Sequence, residues 1–281
     1  MMGGVGADMN WFESIIYGLL SGISEFLPIS SHAHQALLRL IFGVDQENPI
    51  VNLFVHLGML LSVYSGCRTL LEHFRREQRQ RTRREHTGNT RFSWDKRFIK
   101  NSAIPMLLGM AVITYISRAN SNLLLTSILL FVNGIILFIP SRLLHGVKDA
   151  RCMSAMVSVL IGLSGSISTL PGISRIGTVI SVATMRGADR KNALNWAFLL
   201  SFPALAIFIG IDFLQIITNM DAVNIWSSLL TGILAAIFSY LGGLLGITVI
   251  RFMSVRSDLS GFSFYCWGAS LLTFILYLMV A

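Results

Sequence analysis

The sequence predicts an all-α polytopic membrane protein, an inverted-topology repeat with about six full spans and two re-entrant helical hairpins. Three observations predict it. The 281 residues are 53% hydrophobic and only 13% charged, with a mean hydropathy of +0.66. Soluble domains carry about 25% charged residues, and one core of this size could not hide so much apolar surface. Six stretches approach the roughly 20 apolar residues that a spanning helix needs. The net charge of +8 comes from basic residues gathered in short loops beside those stretches, the pattern of cytoplasmic loops and not of a nucleic-acid surface.

In chain order, region 11–43 is apolar but interrupted at Glu25-Phe26-Leu27-Pro28 and at Ser30-Ser31-His32. Spans are expected at 50–67, 99–118 and 123–140. Region 152–187 is interrupted in the same manner, at Pro171-Gly172 and Ser174-Arg175, and spans follow at 194–216, 226–250 and 262–280. Each half of a broken region is too short to cross alone, as re-entrant segments are.

Loop charge sets the orientation. Segment 68–97 holds ten Lys/Arg against four acids and is the expected basic cytoplasmic loop, solvated and partly disordered. Loops 141–151 and 251–261 carry Arg or Lys and fall inside; 44–49, 119–122 and 217–225 fall outside. Region 11–43 then starts and ends outside, and 152–187 starts and ends inside. The chain is expected to be a single transmembrane domain, 1–281. Its repeat halves, about 11–140 and 152–280, are joined by a cytoplasmic loop. Broken helices at matching places in two halves point to a binding site. With no basic n-region and no A-x-A site, the first apolar stretch is expected to stay in the mature protein. Cys67, Cys152 and Cys266 form no CxxC motif and are expected as free thiols.

The two breaks hold the chemistry. Glu25, His32 and His34 within ten apolar-flanked residues are expensive in a bilayer and mark a functional site. Pro28 ends one helix, and Ser30 or Ser31 can cap the next. His34 follows three or four residues later on the same face. In the second break Gly172 allows close backbone approach, Ser174 can cap a new helix whose free N–H groups attract anions, and Arg175 adds a charged fork suited to phosphate. Two capped helix starts and an arginine can hold a diphosphate. Glu25 either orients His34 or carries a proton. His34 attacks phosphorus or protonates the leaving group, or Ser31 is the nucleophile with His34 as base. His56 lies within a span and faces either the site or the core. Asp212 reads as interfacial.

Glu25-Phe26-Leu27-Pro28-Ile29-Ser30-Ser31 followed by His34, and Pro171-Gly172-Ile173-Ser174-Arg175, resemble the two motifs of the undecaprenyl-diphosphate phosphatase family, also called bacitracin-resistance proteins. The resemblance covers nearly the whole chain. It implies a hydrolase of the bacterial inner membrane, multi-pass, with its site open to the extracytoplasmic side. Such an enzyme converts undecaprenyl (polyprenyl) diphosphate to the monophosphate and inorganic phosphate. It thereby recycles the lipid carrier of peptidoglycan and cell-wall biogenesis, with consequences for cell shape and bacitracin resistance. It implies catalytic roles for Glu25, Ser31, His34 and Arg175, and substrate-binding roles for Ser30, Gly172, Ser174, Arg175 and Thr178, with Ser21 and His56 as further contacts. It implies a divalent cation, Mg or Ca, at Glu25, and no organic cofactor. The expected partners are the polyprenyl diphosphate, membrane lipids and a second copy in a homodimer, with no nucleic acid. The chain departs from the family pattern at Ser21, where a second acid is usual, at Ile176 and Val179, where hydroxyls are usual, and at Asn195, where a glutamate is usual. A polyprenyl-phosphate flippase or transporter without hydrolysis is the alternative reading.

Overall fold

A computed structural model describes residues 9–44, 47–72, 76, 91–117, 122–143, 146–218, 225–256 and 259–280. Most of the expected basic loop 68–97 lies outside the described residues, as do parts of the other connecting loops. Among the described residues the structure is helical: α1 (Trp11–Phe26), α2 (Ser31–Phe42), α3 (Pro49–Gly66), α4 (Arg91–Ser117), α5 (Leu123–Ser141), α6 (Ala155–Ser166), α7 (Arg175–Met185), α8 (Arg190–Thr218), α9 (Ile225–Arg256) and α10 (Ser260–Val280).

Helix starts follow the capping residues. Asn10 and Glu13 form a reciprocal capping box on α1. Asn48 caps α3, whose first residue is Pro49. Asn122, Ser154 and Ser174 cap α5, α6 and α7 through their side chains. Among the described residues six helices are long and apolar enough to cross a membrane: Pro49–Gly66, Asp95–Tyr115, Leu123–Ser141, Arg190–Thr218, Trp226–Ser254 and Ser260–Val280. Large apolar side chains such as Leu108, Phe131, Phe213, Leu230 and Leu271 are exposed along them, as a hydrocarbon-facing surface requires.

The helix contacts come in exchangeable pairs. α1 packs on α9 as α6 packs on α4, α3 packs on α9 as α8 packs on α4, and α1 pairs with α2 as α6 does with α7. α3 meets α8, and α5 meets α10. The α1–α9 crossing is close because small residues line it: a Cβ on Gly22 would overlap the Ser239 carbonyl oxygen. α1, α2, α6 and α7 are the short helices, 16, 12, 12 and 11 residues, and the breaks between them meet in the interior.

Candidate functional site

α1 stops at Phe26, one residue short of Leu27-Pro28, and a turn leads to Ser30. Ser30 has φ 69, the one positive φ outside glycine among the described residues. Such a backbone persists only where its surroundings hold it, and the hydroxyl shows how. It accepts the amide of Gly172 at 3.0 Å and that of Ala33, inside α2, at 3.4 Å. Gly172 itself has φ 118, and a Cβ there would strike Leu129 and the backbone of α5. Ser174 donates its hydroxyl to the Leu27 carbonyl at 3.2 Å and accepts the Gly177 amide at 3.2 Å. Asn133 of α5 closes the lock. Its Nδ2 donates to the Pro28 carbonyl and its Oδ1 accepts the Ser174 amide, each at 3.0 Å. Thr178 donates to the Ser174 and Arg175 carbonyls.

Ser30, Gly172, Ser174 and Thr178, expected as ligand contacts, therefore spend these hydrogen bonds on joining the two breaks or closing α7. Asn133 escaped the sequence reading. Its signal was an amide inside the apolar run Leu123–Ser141.

The joined breaks place Glu25 against Arg175. Arg175 Nη2 donates to Glu25 Oε1 at 2.5 Å, and the side chains are only 3% and 7% exposed, respectively. Ser31 donates its hydroxyl to the other carboxylate oxygen of Glu25. Arg175 Nε is buried with no hydrogen-bond partner among the described residues. A buried guanidinium N–H without an acceptor is costly, and its geometry suits a phosphate oxygen. Around this trio lies a narrow inner pocket that includes Ser24, His32, Ser168 and Phe208.

His32 and Phe208 also wall a larger cavity of about 480 Å³. Its α2 side is one helical stripe, His32, Gln35, Ala36, Arg39, Leu40 and Gly43, the spacing of a single helix face. Its α3 and α8 side carries His56 and Asp212, bonded through Nδ1 and Oδ2 at 2.6 Å. His56 thus lies on the cavity. Asp212, expected at the interface, is buried at 5% exposure.

His34 lies two residues from His32 and so on the opposite side of α2. Its Nδ1 pairs with the Ser30 carbonyl and its Nε2 with the Tyr265 hydroxyl of α10, both at 2.7 Å. The structure does not bring it to the Glu25–Arg175 pair. Ser21, one helical turn before Glu25 in α1, is fully buried, but its hydroxyl has no partner among the described residues.

A divalent cation does not fit Glu25 in this arrangement. One carboxylate oxygen holds a guanidinium and the other a hydroxyl. No cluster of three His, Cys, Asp or Glu exists among the described residues, whereas Ca²⁺ takes six to eight oxygens.

Residues 14–272 match the family model described as Bacitracin resistance protein BacA. The chain is similar to the undecaprenyl-diphosphatase of Halothermothrix orenii, at 26% identity over 95% of this chain and 98% of that protein. It is similar to the undecaprenyl-diphosphatase of Methanobrevibacter smithii, at 29% identity over 95% and 98%. It is also similar to that of Nocardioides sp., at 30% identity over 89% and 90%.

Proposed function

The chain belongs to the bacitracin resistance protein BacA family, and from that premise we propose that it is a membrane hydrolase that converts undecaprenyl diphosphate to undecaprenyl phosphate and inorganic phosphate, recycling the cell-wall lipid carrier. One observation carries the reading. Arg175 holds Glu25 with Nη2 while its buried Nε–H lacks an acceptor among the described residues, in a narrow inner pocket that shares His32 and Phe208 with the 480 Å³ cavity.

The terminal phosphate sits against Arg175. The Ser31 oxygen bonds its phosphorus, and the Ser31 proton passes to Glu25, its hydrogen-bond partner. The bridging P–O bond breaks, and its electron pair leaves with the lipid monophosphate. Water then bonds the phosphorus, the Ser31–phosphorus bond breaks, and Glu25 returns the proton to Ser31. The second water proton leaves through the cavity. Arg175 supplies the charge on which phosphoryl transfer chiefly depends. In this reading His34 positions Ser30, and does not touch phosphorus.

The protein lies in the bacterial inner membrane with the cavity open outside. The exposed cavity residues Glu47 and Asn122 belong to loops 44–49 and 119–122, which carry no Lys or Arg. The two broken helix pairs are re-entrant hairpins of an inverted repeat, 11–140 and 152–280, which the exchangeable helix contacts support.

Phosphate release from a C55 diphosphate in detergent tests the activity. Glu25→Gln and Arg175→Lys should each reduce it about a hundredfold or more, and unchanged turnover in both would sink the assignment. A Gln215→Cys chain that a membrane-impermeant maleimide cannot label from outside would refute the orientation.

A further inference from the structure

Among the described residues His56 and Asp212 form the most buried ion pair outside the trio of Glu25, Ser31 and Arg175, and the reaction as described leaves them without a task. Their side chains are each 7% exposed. They come from α3 and α8, 156 residues apart, and meet on the wall of the 480 Å³ cavity. The pairing uses Nδ1. Nε2 has no hydrogen-bond partner among the described residues. Phe208 fixes the ring plane, with its centroid 5.3 Å from that of His56 and the planes 20° apart. His32 abuts the same Phe208 edge-on at 4.9 Å. Phe208 and His32 also line the inner pocket at Arg175. His56 is therefore one aromatic ring removed from the proposed seat of the terminal phosphate, on the wall of the larger cavity.

We propose that His56, held by Asp212, is the contact for the lipid-side phosphate of the diphosphate, and so the residue by which the site prefers two linked phosphates to one. This rests on the diphosphate occupying the cavity, as in the function proposed above. A protonated imidazole donates through both nitrogens. Nδ1–H is committed to Asp212, so Nε2–H is directed to the cavity. Asp212 is a positioning residue, because it acts through the ring as a carboxylate orients a histidine elsewhere. The charged groups that face His56 are Asp212 on α8, His32 and Arg39 on α2, Glu25 on α1 and Glu47 before α3. Glu47 is occupied by Arg39, at 2.6 Å.

The test separates binding from turnover. Calorimetry with the full chain in detergent should show that His56→Gln and Asp212→Asn weaken inorganic pyrophosphate about tenfold, the worth of one charge-assisted hydrogen bond, and leave orthophosphate unchanged. With farnesyl diphosphate as substrate, KM should rise by a similar factor while kcat changes less than about twofold. The wild-type KM should vary with pH, and that variation should vanish in His56→Gln. Either variant suffices if the other fails to fold, as judged by its elution profile. Equal weakening of pyrophosphate and orthophosphate, or weakening of neither, overturns the proposal. Wild-type protein that discriminates pyrophosphate through His56 yet releases no phosphate would keep this site and remove the phosphatase reading.

Discussion

The hydroxyl of Ser30 accepts the backbone amide of Gly172 at 3.0 Å across 142 residues of sequence. Its neighbour Ser31 donates instead to Glu25. Adjacent serines thus serve different ends, and substitution should separate them. Ser30→Ala leaves a buried amide without its partner and should cost about 1–3 kcal/mol of stability, read as a lower unfolding temperature in detergent. Ser31→Ala takes a donor from the buried Glu25 carboxylate and should cost a comparable amount, but it should also lose phosphate release about a hundredfold or more at temperatures where the variant stays folded.

Glu25 and Arg175 form a buried pair, and loss of one partner strands the other. Glu25→Ala should destabilise by about 3–5 kcal/mol. Glu25→Gln keeps the shape and a hydrogen-bond acceptor, so it should be the milder change in denaturant while remaining inactive. If Glu25→Gln were fully active, the carboxylate would have no part in proton transfer.

Asn133 satisfies both breaks at once, through the Pro28 carbonyl and the Ser174 amide. Asn133→Leu is nearly isosteric and more apolar, so a view based on hydrophobicity alone expects a gain. The hydrogen bonds predict the reverse, a loss of about 1–3 kcal/mol, chiefly from the stranded Ser174 amide, since the Pro28 carbonyl keeps the Cys266 thiol as a donor. Thermal unfolding in detergent decides between them.

His34 should act on structure and not on phosphorus. It bridges the Ser30 carbonyl and the Tyr265 hydroxyl. A double-mutant cycle with His34→Ala and Tyr265→Phe should therefore show a coupling of about 0.5–3 kcal/mol in stability. An additive cycle would free His34 for another role.

Calcium and magnesium should show no saturable binding to the ligand-free chain by calorimetry, since Glu25 already holds a guanidinium and a hydroxyl. Saturable binding that Glu25→Gln abolishes would contradict this.

Much of the fold was legible in the sequence, because the apolar runs report burial in lipid directly. The span expected at 50–67 is Pro49–Gly66, and that at 123–140 is Leu123–Ser141. The ends at 194 and 250 were less legible: α8 begins at Arg190 and α9 continues to Arg256, since a helix does not stop where its hydropathy falls. Glu25, Ser31 and Arg175 stood out as polar groups at breaks in apolar chain. Their division of labour did not, because a sequence names donors and acceptors without naming who pairs with whom. His32 and His34 are equal as letters. Only the stripe His32-Gln35-Ala36-Arg39 shows which side of α2 faces the cavity. Asp212 looked interfacial for the same reason, its partner lying 156 residues away.

The lock between the two breaks has a further consequence. Glu25 and Ser31 belong to the first half of the chain and Arg175 to the second, and the serines and amides that set their distance also cross between the halves. Neither half carries a weak version of the site to be improved by its mate. On the proposed reaction the chemistry resides in the seam, so it would arise all at once when the two breaks dock, and membrane assembly and enzyme maturation would be the same event.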